Sequence, residues 1–204
     1  MERKLSEQPV AVVLAAGRGR RFAAAGGRTF KQAQRFAGEH TVVEHVCALY
    51  SECGLPVVCA LHPELEDLAG RLADAGHRVV PVADADSGMG HSLAAAVAAA
   101  PSQTGWLIAL GDMPRIQHRT IRAVADALLG GAALCAPYHQ GRRGHPVGFA
   151  AGFGPQLRAL SGDEGARAIL QANHDRLQRI EVDDPGVLFD INIPGDLLGL
   201  AAGG

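Results

Sequence analysis

VAVVLAAGRGRRF, residues 10–22, is the stretch on which the fold reading turns. Its first part, Val10–Ala15, is apolar and partly β-branched without a polar break. That is the pattern of a strand buried on both faces of a parallel sheet. The run ends in a glycine-punctuated loop carrying Arg18, Arg20 and Arg21. In an open α/β sheet such a loop lies at the carboxyl end of its strand, where ligands bind. Ala15, Ala16, Gly17 and Gly19 are small enough for backbone N–H groups to approach an anion, and the guanidinium groups add fixed positive charge. Together they point to a phosphate-rich ligand, a nucleotide first among them.

Outward from this strand, strand-like and helix-like segments alternate. Thr41-Val-Val-Glu44 has the form of a capping box and opens a helix to about Cys53. Residues 56–61 read as a second strand, 63–75 as a helix closed by Gly76, and 77–82 as a third strand. An alanine-rich helix covers 92–100, a fourth strand 106–110, a helix 117–129 and a further strand 132–138. Beyond a polar loop at 139–145 the pattern loosens. An apolar segment at 146–151 leads to helical stretches at 155–160 and 164–173, then a strand at 177–182. A short apolar segment, 187–191, precedes a terminal helix over 194–200, with Pro194 at its start. The alternation predicts one three-layer α/β/α domain over residues 1–204, with a Rossmann-like, mostly parallel sheet. Residues 1–8 and 201–204 are expected to be flexible ends.

Composition narrows the function. The chain of 204 residues is 48% hydrophobic, enough to bury a sizeable core. Its 19 basic and 21 acidic residues nearly balance, whereas a nucleic-acid-binding domain is usually strongly basic; no nucleic-acid partner is expected. Cys47, Cys53, Cys59 and Cys135 have neither zinc-ribbon nor redox-pair spacing and read as small packed hydrophobes. The charged start MERKLSEQ is no secretory segment, and no apolar run reaches membrane-spanning length. A cytoplasmic protein with no membrane partner is expected.

Further features fall at strand ends or in loops. Lys31 shares the first loop with Arg21, so both can reach one triphosphate; alone, it reads as a solvated loop lysine. Ser87-Gly-Met-Gly-His-Ser92-Leu93 offers either a helix start capped by Ser92 or a backbone surface for a base or ribose. Asp112 stands just past a buried strand, between Gly111 and Pro114. It either caps the next turn or binds Mg²⁺, which takes one or two carboxylates plus substrate phosphates. Asp190 and Asn192 alternate with apolar neighbours and so share one face of an extended segment. There they complete a metal site, or Asn192 forms an Asx turn. The basic loop at 141–147 suits a second anionic or polar substrate, or is a plain exposed turn. There is no Walker-type Gly-Lys-Ser/Thr, no Gly-x-Ser-x-Gly elbow and no histidine cluster at zinc spacing.

These motifs carry a resemblance. The loop from Leu14 to Phe22 resembles the signature loop of the nucleotide-diphospho-sugar transferase-like nucleotidyltransferases. Gly-Met-Gly-His-Ser-Leu at 88–93, Gly-Asp-Met-Pro at 111–114 and Gly-His-Pro-Val at 144–147 follow in order. Gly-Asp-Glu-Gly-Ala-Arg at 162–167 and Asp-Ile-Asn-Ile-Pro at 190–194 complete a set similar to the molybdenum cofactor nucleotidyltransferases, the cytidylyltransferase type above all. The resemblance spans nearly the whole chain.

It implies transfer of a nucleotidyl group, CMP from CTP, to the phosphate of molybdenum-molybdopterin with release of pyrophosphate, using Mg²⁺ or alternatively Mn²⁺. The nucleotide would lie on Leu14, Ala15, Ala16, Gly17, Gly19, Arg21, Lys31, Gly88, Ser92 and Asp112, with Arg21, Lys31 and Asp112 catalytic. Asp112 and Asp190 would ligate the metal. Arg143, Gly144, His145, Pro146, Asp163 and Arg167 would face the pterin. The CTP assignment rests on the Leu-Ala-Ala-Gly form of the first loop; guanylyltransferases more often carry a second glycine there. The chain departs from the family pattern at Ala23, where a glycine is usual, in the insert at 23–30, and at Asn192, where a second acidic residue is usual. The alternatives are guanylyl transfer to the same cofactor, transfer to a sugar phosphate or another phosphorylated metabolite, and a non-catalytic protein delivering cofactor to a molybdoenzyme or its chaperone.

Overall fold

The computed structural model describes residues 7–27, 30–37, 40–83, 85–163 and 165–201. Most of the two expected flexible ends lies outside the described residues, as do Arg28, Thr29 and Glu164 within two of the motifs.

β1 (Val10–Ala15) lies inside an eight-stranded mixed sheet. Going outward on one side, β1 pairs in parallel with β4 (Val57–Leu61), and β4 in parallel with β5 (Arg78–Pro81). On the other side it pairs in parallel with β6 (Gly105–Leu110). Next come β9 (Val147–Ala150), β7 (Leu134–His139) and β10 (Leu177–Glu181). β8 (Arg142–Arg143) pairs with the end of β7. The expected mostly parallel order is present, with β9 running antiparallel to both β6 and β7.

The alternation of β1 explains its central place. Ala11, Val13 and Ala15 pack with α2 (Val42–Ser51), α3 (Glu66–Asp74) and α5 (His118–Leu129) on one face. Val10 and Val12 pack with α4 (Met89–Ala99), α6 (Gly154–Arg158) and α7 (Arg167–Ala172) on the other. An uninterrupted apolar run is what a strand covered on both faces requires. Register sets Leu14 beside Leu110 and Ala15 beside Leu61, so the carboxyl ends of β1, β4 and β6 reach the same edge.

The predicted capping box is present: Glu44 N donates to Thr41 Oγ1 at 3.4 Å and Thr41 N to Glu44 Oε2 at 2.8 Å. The terminal helix is α8 (Pro194–Ala201). Three features differ from the expectation. Residues Arg20–Ala24 form a short helix, α1, where a loop was expected. A small antiparallel ribbon, β2 (Arg35–Ala37) with β3 (His40–Thr41), fills the stretch before α2. α4 begins at Met89 with Gly88 as its N-cap, so Ser92 lies inside the helix and caps nothing. The start of α4 is fixed by a tertiary contact instead: Gly90 N donates to Gly162 O at 2.7 Å.

Candidate active site

The first loop and the Asp112 turn leave neighbouring strands side by side. Gly111 N donates to Leu14 O at 2.9 Å, and a Cβ on Gly111 would stand 2.7 Å from the Ala15 Cβ. Glycine at 111 therefore lets the carboxylate turn lie against the arginine loop. Gly19, at φ +67°, turns the chain into α1, and Phe22 anchors that helix in the core at 1% exposure. Arg20 and Arg21 remain at the surface of α1 facing the cleft. Arg18 bonds Glu64 Oε1 at 2.7 Å and lies over the Phe30 ring.

A single 3₁₀ turn, Lys31–Ala33, ties loop and carboxylate together. Lys31 Nζ lies 2.6 Å from Asp112 Oδ2 and donates to Ile191 O, also at 2.6 Å. Asp112 Oδ1 is buried with no hydrogen-bond partner among the described residues. Next to Lys31 in the 3₁₀ turn, Gln32 donates from Nε2 to Ala15 O at 2.6 Å and to Gly17 O at 2.7 Å.

The 190–192 segment comes alongside from the end of the chain, although Asp190 itself is not among the residues lining either cavity on this edge. Ile191 N donates to Asp112 O at 3.0 Å, which straps the 190–192 segment alongside. Asn192 Nδ2 donates to Asp190 Oδ2 at 3.0 Å, so the two side chains do share a face. The turn into α8 is made by Asp196, whose Oδ2 accepts from Asn192 N at 2.8 Å and Ile193 N at 2.9 Å. Those two N–H groups hold the Asp196 carboxyl below its ordinary pKa.

Two cavities open on this edge and adjoin. The first, about 460 Å³, is within the usual range for small-ligand sites. All of the residues assigned to the nucleotide from sequence line it: Leu14, Ala15, Ala16, Gly17, Gly19, Arg21, Lys31, Gly88, Ser92 and Asp112. The second, about 160 Å³, shares Leu14, Met89 and Leu110 with the first. Its floor is apolar, with Val147, Phe149 and Leu170, and Arg143, His145 and Arg167 also line it. Gly144 and Pro146 are buried in the base of that loop; a Cβ on Gly144 would stand 2.4 Å from Val187 O.

Asp163, grouped in the sequence with Arg143, His145 and Arg167, lines the first cavity and not the second. A Cβ on Gly88 would lie 2.4 Å from Gly162 O and 2.6 Å from Asp163 Oδ1, so the 161–163 loop is seated on the first turn of α4. Gln32 and Met89 had no sequence signal. Gln32 is recognised only through carbonyls brought to it by β1, and Met89 only through its position between two cavities.

His145 is mostly buried, with Nδ1 3.5 Å from Ile108 O. Burial pushes its pKa below 6.5, Arg143 acts in the same direction, and Asp112 and Asp190 oppose it. At neutral pH it is an uncharged imidazole, so the cations facing the second cavity are Arg143 and Arg167.

Fold and site together define an α/β protein of the nucleotide-diphospho-sugar transferase-like class, with its crevice at the carboxyl ends of β1 and β6. The chain belongs to the MobA-like NTP transferase domain family, which matches residues 11–178. It is 31% identical over 189 residues to nicotine blue oxidoreductase of Paenarthrobacter nicotinovorans, covering 89% of this chain and 90% of that one. Rv0371c of Mycobacterium tuberculosis superposes with a TM-score of 0.80 at 26% identity, covering 95% and 98% of the two chains. A manganese complex of Rv0371c superposes with a TM-score of 0.76 at 23% identity, covering 97% and 100%. The fold is also that of molybdopterin-guanine dinucleotide biosynthesis protein A of Archaeoglobus fulgidus, with a TM-score of 0.61 at 20% identity and coverage of 94% and 96%.

Proposed function

We propose that this protein transfers a nucleotidyl group, CMP from CTP, to the phosphate of a molybdopterin-type acceptor and releases pyrophosphate. The observation that carries the reading is the Lys31–Asp112 pair on the wall of the first cavity, which a smaller apolar pocket rimmed by arginines adjoins. It sets a cation for triphosphate and a carboxylate for metal beside the glycine–arginine loop. Family membership supports the reaction class.

The donor set fits Mg²⁺ or Mn²⁺. Both ions prefer hard oxygen ligands; Asp112 Oδ1 is buried with no partner among the described residues, and the backbone next to Asp190 is strapped to Asp112 through Ile191 N. The manganese complex of Rv0371c supports the same view. When bound by Asp112 and Asp190, such a cation supplies charge neutralisation to the triphosphate and the departing pyrophosphate.

The remaining work falls to side chains. Arg21 and Lys31 hold the triphosphate, Lys31 exchanging Asp112 for phosphate oxygens as the nucleotide enters. Arg143 and Arg167 hold the acceptor, with neutral His145 beside them as a hydrogen-bonding group. An acceptor phosphate oxygen attacks the α-phosphorus; the new P–O bond forms there as the bond to the bridging oxygen breaks, and that oxygen leaves with its electron pair on pyrophosphate. The acceptor phosphate is already ionised at neutral pH, so no strong general base is needed. Catalysis is alignment of two polyanions and neutralisation of their charge.

The test is pyrophosphate release with each of the four nucleoside triphosphates, Mg²⁺ and molybdopterin-type acceptor. Acceptor-dependent release with CTP is expected; a GTP preference replaces cytidylyl by guanylyl transfer. Release with a sugar phosphate in place of the pterin reassigns the acceptor. Tight cofactor binding without release supports a delivery role. The name of one relative gives a second reading, an oxidoreductase acting on nicotine blue. It is scored in the same assay by adding nicotine blue: its colour changes while the triphosphates stay intact.

A further inference from the structure

The glycine loop of the first cavity is held from behind by one side-chain amide. Gln32 is only 3% exposed, and its Nε2 donates to both Ala15 O at 2.6 Å and Gly17 O at 2.7 Å. A primary amide has two N–H hydrogens, so both are used on this loop. In a trans peptide the C=O and N–H point in opposite directions. Carbonyls of Ala15 and Gly17 turned inward to a buried amide therefore turn the N–H groups of the following residues, Ala16 and Arg18, outward.

We propose that Gln32 is a positioning residue: it presets the N–H groups of the glycine loop for the phosphates of the nucleotide and couples them to Lys31. The proposal rests on the triphosphate site assigned above. The coupling follows from adjacency. Lys31 and Gln32 are successive residues of one 3₁₀ turn, entered through Phe30 at φ +62°. The turn sends the lysine to Asp112 and the amide to the loop. A Cβ on Gly19 would meet Lys31 N and Cγ at 3.3 Å, so the loop and the turn are also in close contact at their far end. Without the amide, two inward carbonyls lose their donor, and peptides free to rotate present lone pairs to an anion in place of N–H groups.

Gln32→Met keeps the length and apolar stem and removes the donor. Calorimetry with tripolyphosphate and with CTP, plus steady-state kinetics, reads its effect. The expected result is a rise of about tenfold or more in the tripolyphosphate Kd and the nucleotide KM, with kcat changed less than about threefold and the acceptor KM unmoved. Wild-type affinity in Gln32→Met, or a fall in kcat and melting temperature with KM unchanged, overturns the proposal, the latter pattern being that of a merely structural residue. Hydrogen exchange on the wild type gives a reading that needs no variant. Tripolyphosphate is expected to protect the amides of the 15–19 segment, and no added protection overturns the proposal. Failure of the wild type to bind tripolyphosphate or any nucleoside triphosphate overturns the triphosphate site itself, and this inference with it.

Discussion

At the scale of single residues, the site depends on how Asp112 divides its two oxygens. One is held by Lys31 and the other is buried without a partner among the described residues. Asp112→Asn keeps the shape and removes the charge. Turnover is expected to fall by about 100-fold or more, with the melting temperature nearly unchanged; near-normal turnover removes Asp112 as a metal ligand. Lys31→Met takes away the counter-ion and one triphosphate contact. It is expected to tighten Mn²⁺ binding in the absence of nucleotide while raising the nucleotide KM, read by calorimetry and kinetics; an unchanged KM removes Lys31 from the triphosphate site. The placement of these residues on the first cleft was legible because small residues, arginines and a strand-end aspartate are each chemically distinctive. Gln32 was not, since a glutamine after a lysine says nothing until β1 brings it two carbonyls. That Asp163 lines the first cavity was not legible either, because its position depends on how the 161–163 loop rests on Gly88.

At the scale of elements, local signals sufficed where they are strong. β1 follows from its apolar run and α2 from its capping box, reciprocal in the structure as expected. Thr41→Ala is expected to cost about 1 kcal/mol of stability in denaturant unfolding while leaving nucleotide KM alone. α1 and the β2–β3 ribbon were not legible. A helix as short as Arg20–Ala24 has little intrinsic stability and is held by the burial of Phe22. The start of α4 was misplaced because a serine was weighed as a cap, whereas contact with the 161–163 loop decides it. That contact makes Gly88 sensitive: it sits at φ +119° with Gly162 and Asp163 where a Cβ would go. Gly88→Ala is expected to displace the loop, lower stability by about 1–3 kcal/mol and raise the nucleotide KM. An unchanged KM with normal unfolding contradicts the proposed role of that contact.

At the scale of the whole molecule, the alternation of segments carried the fold class, but not the reversed direction of β9, since an apolar run does not encode direction. Stability is expected to depend on pH. Burial lowers the pKa of His45, His77 and His145 from 6.5. The unfolded chain therefore takes up these protons first as pH falls. Stability is full above the unfolded pKa and declines from about pH 6.5 toward the lower folded values. Glu44 and Asp196, both lowered, add their loss in a separate window below about pH 4.5. Melting temperatures at pH 7.5 and 5.5 check the first window, a drop being expected and a rise excluding it. The central claim is that one crevice joins a nucleotide to a phosphorylated acceptor. Its most direct test follows CTP labelled at the α-phosphate, with Mg²⁺ and molybdopterin-type acceptor, in wild type and Asp112→Asn. Label is expected on the acceptor in one-to-one ratio with pyrophosphate, and is lost in the variant. Label that never leaves the nucleotide with any of the four triphosphates contradicts it.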